Sequence, residues 1–280
     1  MIQVDGHPIA GIGLGTAPIA FRGGTDAEAV ATVHAALDAG LGLIDTALAY
    51  TRPGVESYAE YIVASALRGR EGAGTRPLVA TKGGHWRDGD RFPVDGHPAT
   101  LRAHCEISLR TLGTNRLDLY FLHHVDPAVP LADSVGALEE LRQEGKIAAA
   151  GLSNVTIAQL DESRAITPVA AIQNRLSYAD PADLPTALAC AQRGISYFAY
   201  SPLAAPSGLP QQAALAVAGR HGASVQRVML AWLRAQAPNI VPLVGATRPA
   251  SIRDSADPLH LTHDDLAELG VPDQSREEAS

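Results

Sequence analysis

Leu117-Asp118-Leu119-Tyr120-Phe121-Leu122-His123 is apolar at nearly every position and closes on an ionisable side chain. A strand with one wet face would alternate apolar and polar residues. A run without alternation suits a parallel strand buried on both faces. Seven similar runs flank it. Ile12–Thr16, Gly42–Thr46 and Leu78–Lys82 come before; Ala148–Ser153, Ala170–Gln173, Ser196–Ser201 and Ile240–Val244 come after. Amphipathic stretches separate them. Asp26–Ala39 sets Val30, Val33, Ala36 and Leu37 on one face, and Leu101–Leu112 and Val135–Gln143 have similar spacing. Gly40, Gly113, Gly145 and Gly194 follow four of these stretches, where a left-handed cap is wanted.

Eight strand–helix units without a long linker leave a closed barrel or an open doubly wound sheet. Eight units in 280 residues favour the barrel, for which about 250 residues is typical. The expected fold is therefore α/β, a (β/α)8 TIM barrel forming one domain over residues 1–280. Asp5-Gly6 between short apolar pieces of Ile2–Ile9 predicts an N-terminal β-hairpin that could plug the lower end of the barrel. The polar residues 271–280 are expected to fray.

Composition narrows the function classes. Lys plus Arg is 22 against 30 Asp plus Glu, a net charge of −8 with no basic run, so no nucleic-acid partner is expected. No apolar stretch is long enough to span a membrane, and the N-terminus carries no signal-peptide pattern; a cytoplasmic protein is expected. Cys105 and Cys190 stand far apart, as two reduced core thiols would. Gly11-Ile12-Gly13-Leu14-Gly15-Thr16 falls one glycine short of a dinucleotide fingerprint, and close packing at the first strand explains its glycines better. His123-His124 does not make a metal pair if the two alternate across a strand, so no metal is expected.

Barrel enzymes carry their chemistry at the C-terminal ends of the strands. Asp45, Lys82 and His123 end three successive runs, and Tyr50 stands in the loop after Asp45. A lysine cation paired with a carboxylate can stabilise a phenolate, and a neighbouring histidine can bond the phenol or a substrate oxygen. Such a site can protonate a carbonyl oxygen, or deprotonate an alcohol in reverse.

These residues also sit in segments with a family likeness. Asp45-Thr46-Ala47-Leu48-Ala49-Tyr50, Val79-Ala80-Thr81-Lys82 and Leu117–His123 resemble the catalytic segments of the aldo-keto reductases. The resemblance implies a catalytic tetrad of Asp45, Tyr50, Lys82 and His123, and transfer of hydride between a nicotinamide cofactor and a carbonyl or alcohol. It extends to Gly151-Leu152-Ser153-Asn154, Gln173-Asn174 and Ala199-Tyr200-Ser201-Pro202-Leu203. There it implies nicotinamide contacts from Ser153, Asn154 and Gln173, and stacking by Tyr200. Ser201, Leu203, Gly15 and Thr16 join the expected cofactor set. Val244–Ser255 resembles the adenosine loop and its short helix, with Gly245, Thr247, Arg248, Ser251, Asp254 and Ser255 as contacts. Ser251 replaces the arginine that many relatives set against the 2′-phosphate. Arg248 or Arg253 could substitute, so NADP is expected and NAD stays open. Glu60 meets the adenine or sits in a first helical turn. Phe21, His85, Trp86 and His124 are expected to line the substrate pocket, which should be shallow because the chain after Leu269 is short. Aldehyde or ketone reduction, sugar (aldose) dehydrogenation and a non-catalytic cofactor-sensing subunit are the three readings carried forward, with a small-molecule carbonyl or sugar as partner and the oligomeric state open.

Overall fold

A computed structural model describes residues 2–4, 7–9, 11–70 and 76–270. The expected fraying of 271–280 and the Asp5-Gly6 turn lie outside them. Each of the eight apolar runs is a strand: β3 (Gly13–Gly15), β4 (Leu43–Asp45), β5 (Leu78–Gly83), β6 (Leu117–Leu122), β7 (Ile147–Ser153), β8 (Val169–Arg175), β9 (Ser196–Tyr200) and β10 (Ile240–Gly245). They pair in parallel, each with its sequence neighbour, and β10 closes the ring on β3. The (β/α)8 barrel is thus the fold. Ahead of it, β1 (Ile2–Val4) and β2 (His7–Ile9) pair antiparallel. Val4 and Ile9 are buried with Leu43, Leu78 and Val241, so the hairpin does plug the barrel floor.

Helices α1 (Ala17–Phe21) and α2 (Asp26–Asp38) both follow β3, and α3 (Tyr58–Leu67), α4 (Pro98–Leu112), α5 (Leu131–Gln143), α6 (Ile157–Arg164) and α7 (Leu184–Gln192) follow β4 to β8 in turn. Between β9 and β10 come two, α8 (Gly208–His221) and α9 (Val225–Gln236), and after β10 come α10 (Pro249–Ala256) and α11 (His263–Leu269). The capping signals act as read. Thr25 and Glu28 form a reciprocal box at the start of α2, and Gly113 ends α4 at φ 67°, a left-handed turn that favours glycine. In α2, Val33 and Ala36 are fully buried, whereas Val30 and Leu37 only flank the core.

The lumen is filled by Leu119, Phe121, Ala171, Phe198 and Leu243. Gly151 makes room for Phe121, since a Cβ there would come within 2.5 Å of its ring. Gly13 packs against Leu43 and Leu243, which accounts for the glycines near β3 without a phosphate-binding turn. Cys105 and Cys190 are free and buried, and burial pushes both thiols up to about 12. Among the described residues, no helix is long and apolar enough to cross a membrane.

Candidate active site

Three strand ends and one loop meet in one polar cluster. Asp45 ends β4, Lys82 lies at the end of β5, and His123 stands one residue past β6. Tyr50 comes from the loop between β4 and α3. The Lys82 ammonium is fully buried and donates to both Asp45 carboxylate oxygens at 2.8 Å, to the Thr46 carbonyl at 2.8 Å and to the Tyr50 hydroxyl at 3.2 Å. Gln173 Nε2 donates to Asp45 at 2.8 Å. Burial pulls the Lys82 ammonium down, but Asp45 and then Tyr50 outweigh it and hold it above its ordinary value. The phenol of Tyr50 is pushed up by burial, while Lys82 pulls it down. The lysine's influence has the sign expected from the sequence, but desolvation exceeds it.

His123 sits 6.0 Å from Tyr50, ring to ring. Burial, then the Lys82 cation, holds its pKa well below the ordinary value, so the imidazole is neutral. Its buried Nδ1 has no partner among the described residues. His124 stacks on it at 5.0 Å and lines the same cavity, which corrects the expectation that the two would face apart. The strand ends at Leu122, and alternation stops with it. Burial holds His124 at about 4. The three ligand-type residues that do cluster are Asp95, His97 and Asp126, within 4.8 Å. Their oxygens already accept from Thr100, His97 and the Gly96 and Ala128 amides, a brace for the loop before α4.

The cavity above the cluster holds about 510 Å³. Gly15, Ser153, Asn154, Gln173, Tyr200 and Ser201 line it, as expected of cofactor contacts. Asn154 and Ser201 are left-handed at φ 60° and 53°, a backbone state rare outside glycine and often kept where a ligand binds. Tyr200 donates its hydroxyl to Asn154 Oδ1 at 2.8 Å, and Asn154 Nδ2 donates to the His123 carbonyl at 3.0 Å. Ser153 donates to the Gln173 carbonyl at 2.8 Å. Leu203 and Gly245 also line a second cavity of about 520 Å³, so the two adjoin there. That second cavity is walled by Arg248, Ser251, Asp254 and Ser255. Its wall also includes Gln226, a residue of α9 that no sequence motif marks.

Several expected residues lie elsewhere. Thr16 is buried and donates to the Asp45 carbonyl at 3.0 Å, so it shapes the cavity floor rather than its wall. Thr247 and Arg253 are not among the residues lining the second cavity. Glu60 takes the second of its two expected places, the first turn of α3, fully buried and accepting from Thr81 at 2.6 Å rather than lining the second cavity. Trp86 packs against His104 at 5.6 Å, away from the cavity. His85 does reach the cluster, 4.8 Å from His123; its Nδ1 donates to the Pro93 carbonyl at 3.0 Å. Phe21 packs edge-on against Tyr50 at 5.7 Å and against Phe92 at 6.1 Å. Phe92 lies in an irregular loop whose sequence has no period to betray it.

Comparison with known proteins agrees with this geometry. The sequence profile of the Aldo/keto reductase family matches residues 11–270. An uncharacterized oxidoreductase of Schizosaccharomyces pombe is 29% identical over 257 residues, 90% of this chain and 81% of its own. A glycerol dehydrogenase of Gluconobacter oxydans is 27% identical, with a TM-score of 0.78 over 94% of this chain and 93% of its own. An aldo/keto reductase of Klebsiella pneumoniae, solved with NADP and acetate, is 29% identical, with a TM-score of 0.79 over 93% and 90%. The profile spans the barrel from β3 to the end of α11 and includes every residue of the buried cluster, and the chain belongs to the aldo/keto reductase family.

Proposed function

We propose that this protein is a reductase of aldehydes or ketones that prefers NADP(H), with Tyr50 as proton donor. The observation that carries the reading is the buried chain from Asp45 through Lys82 to Tyr50, at 2.8 and 3.2 Å, on the floor of a cavity that adjoins a second one. The residues present fit a dinucleotide. Gln173, Ser153 and Asn154 offer amide and hydroxyl partners to a carboxamide, and Tyr200 offers an aromatic face beside them. Arg248, without an ion-pair partner among the described residues, caps α10 at the far cavity, where a guanidinium suits a 2′-phosphate. The Klebsiella relative solved with NADP supports the same choice. When bound, the reduced nicotinamide supplies a hydride to the carbonyl carbon.

Tyr50 gives its proton to the carbonyl oxygen. Lys82 stabilises the phenolate left behind, and Asp45 fixes Lys82 in place. His123, neutral and therefore able to keep one N–H, orients the substrate oxygen. The same groups run backwards would oxidise an alcohol, and the likeness to a glycerol dehydrogenase supports polyol or sugar oxidation as the second reading. The complete tetrad speaks against a non-catalytic sensing subunit. Residues 1–280 are taken as one domain. Buried thiols without a disulfide suit the cytoplasm. The test is NADPH consumption against a panel of aldehydes, ketones and sugars, with NADP+ reduction against the matching alcohols. Turnover in neither direction would reject the reading.

A further inference from the structure

Arg22 follows directly on Phe21, whose ring packs against Tyr50. Its side chain lines the cavity, and its guanidinium makes no hydrogen bond or ion pair with any described residue. Asp45 is the one carboxylate among the described residues lining that cavity, and Lys82 neutralises it. The neighbours of Arg22, Phe21 and Gly23, line an adjoining hollow with Phe92, Arg52 and Arg87, and no acid lines that hollow. Arg52 is tied to the Gly24 and Ile19 carbonyls at 2.8 and 2.7 Å. Arg87 donates to the Gly89 carbonyl at 2.7 Å, with Asp90, fully exposed, at 3.7 Å. A carbonyl satisfies a guanidinium without cancelling its charge. Arg22 at the cavity, with Arg52 and Arg87 at the hollow beside it, thus gathers three cations on a chain whose net charge is −8; Arg175 also lines the cavity but pairs with Asp180 at 3.3 Å. Clefts lined by one sign of charge concentrate ligands of the other sign.

We infer that this mouth reads a negative charge on the substrate, a carboxylate or phosphate borne apart from the carbonyl, with Arg22 as its contact. The inference rests on the reductase reading and narrows its substrates. The other anion within reach would be the diphosphate of the cofactor. Arg22, however, lines the same cavity as Tyr50 and His123, and it is not among the residues lining the second cavity with Arg248. Arg22 therefore shares its cavity with the reacting groups and not with Arg248.

The probes are benzaldehyde and 4-carboxybenzaldehyde, which differ by one charge remote from the carbonyl. Their binding is measured by quenching of NADPH fluorescence in the Tyr50→Phe holoenzyme, where no turnover interferes, with and without Arg22→Gln. The carboxylated aldehyde should bind about tenfold more tightly than the neutral one, and Arg22→Gln should remove most of that margin. Benzaldehyde and NADPH should keep their affinities within about twofold. The margin should also shrink as salt is raised. Equal binding of the two aldehydes, or equal losses for both in Arg22→Gln, would overturn the subsite. A loss confined to NADPH would overturn it too, and would give Arg22 to the cofactor. Wild-type turnover of benzaldehyde separates the two readings. Turnover without a charge preference removes only the subsite; a preference in binding without turnover keeps the subsite and removes the reductase.

Discussion

Lys82 gathers four hydrogen bonds in the buried cluster, to both Asp45 oxygens, the Thr46 carbonyl and the Tyr50 hydroxyl. One buried ammonium holds Asp45, accepts the company of Tyr50 and lowers the phenol against the rise that burial imposes. Lys82→Met should therefore fail twice. Breaking a buried pair costs roughly 3–5 kcal/mol, because the surviving charge has no water to return to. Turnover should fall by at least about a hundredfold, since Tyr50 loses the cation that stabilises its phenolate. The double variant Lys82→Met/Asp45→Asn should regain much of the stability and none of the activity. Denaturant unfolding and kcat check both, and a single variant as stable as the wild type would contradict the pairing. The tetrad was legible because each member ends an apolar run or follows one closely. Thr16 and Trp86 were misplaced for an opposite reason, whereas Glu60 took the first-turn position in α3 that the sequence also allowed. Polar and aromatic residues beside a site point inward or away according to packing that motif spacing does not encode, so Glu60 lies behind β5 while Tyr50 faces the lumen.

The strands were the most legible elements, since burial on both faces leaves no alternation to disguise them. Their ends were less so. His124 lines the cavity as its family likeness implied, but strand alternation set it apart from His123, because β6 stops one residue earlier than its apolar run and a chain leaving a strand no longer alternates. Gly151 and α10 carry the predictions at this scale. Gly151→Ala would drive a Cβ to within 2.5 Å of the Phe121 ring at the centre of the lumen. Overpacking of this kind costs about 1–3 kcal/mol, so the melting temperature should fall by several degrees. An unchanged melting temperature would mean that the lumen has slack. At α10, the first helical residue is Pro249 and its cap is Arg248, which lines the second cavity, whereas Arg253 in the last turn does not. Arg248→Ala should weaken NADPH binding by about tenfold, the worth of one charge-assisted bond, and leave NADH alone. Arg253→Ala should change neither. Cofactor titrations decide it, and equal losses for both cofactors in Arg248→Ala would show that the arginine does not read the 2′ position.

At the scale of the whole molecule, burial of uncharged imidazoles links stability to pH. His124 is held at about 4 and His123 well below its ordinary value, with burial the larger cause for both. Above the ordinary histidine pKa of about 6.5, folded and unfolded chains are both neutral at these sites and lose nothing. Between there and about 4 the unfolded chain takes protons that the folded one refuses, so stability must fall as pH falls. Melting temperatures measured across that window should decline, and His124→Gln should make the decline shallower; a flat profile would mean that the histidines are not buried neutral. The same neutrality fits the proposal that the lysine-bound phenol of Tyr50 is the acid at the barrel mouth. The most direct test is therefore the paired measurement of NADPH binding and aldehyde-dependent NADPH consumption in the wild type and in Tyr50→Phe. Loss of about a hundredfold to ten-thousandfold or more in turnover, with NADPH affinity held, is the expected result. Wild-type turnover in Tyr50→Phe would contradict the assignment of Tyr50 as the proton donor.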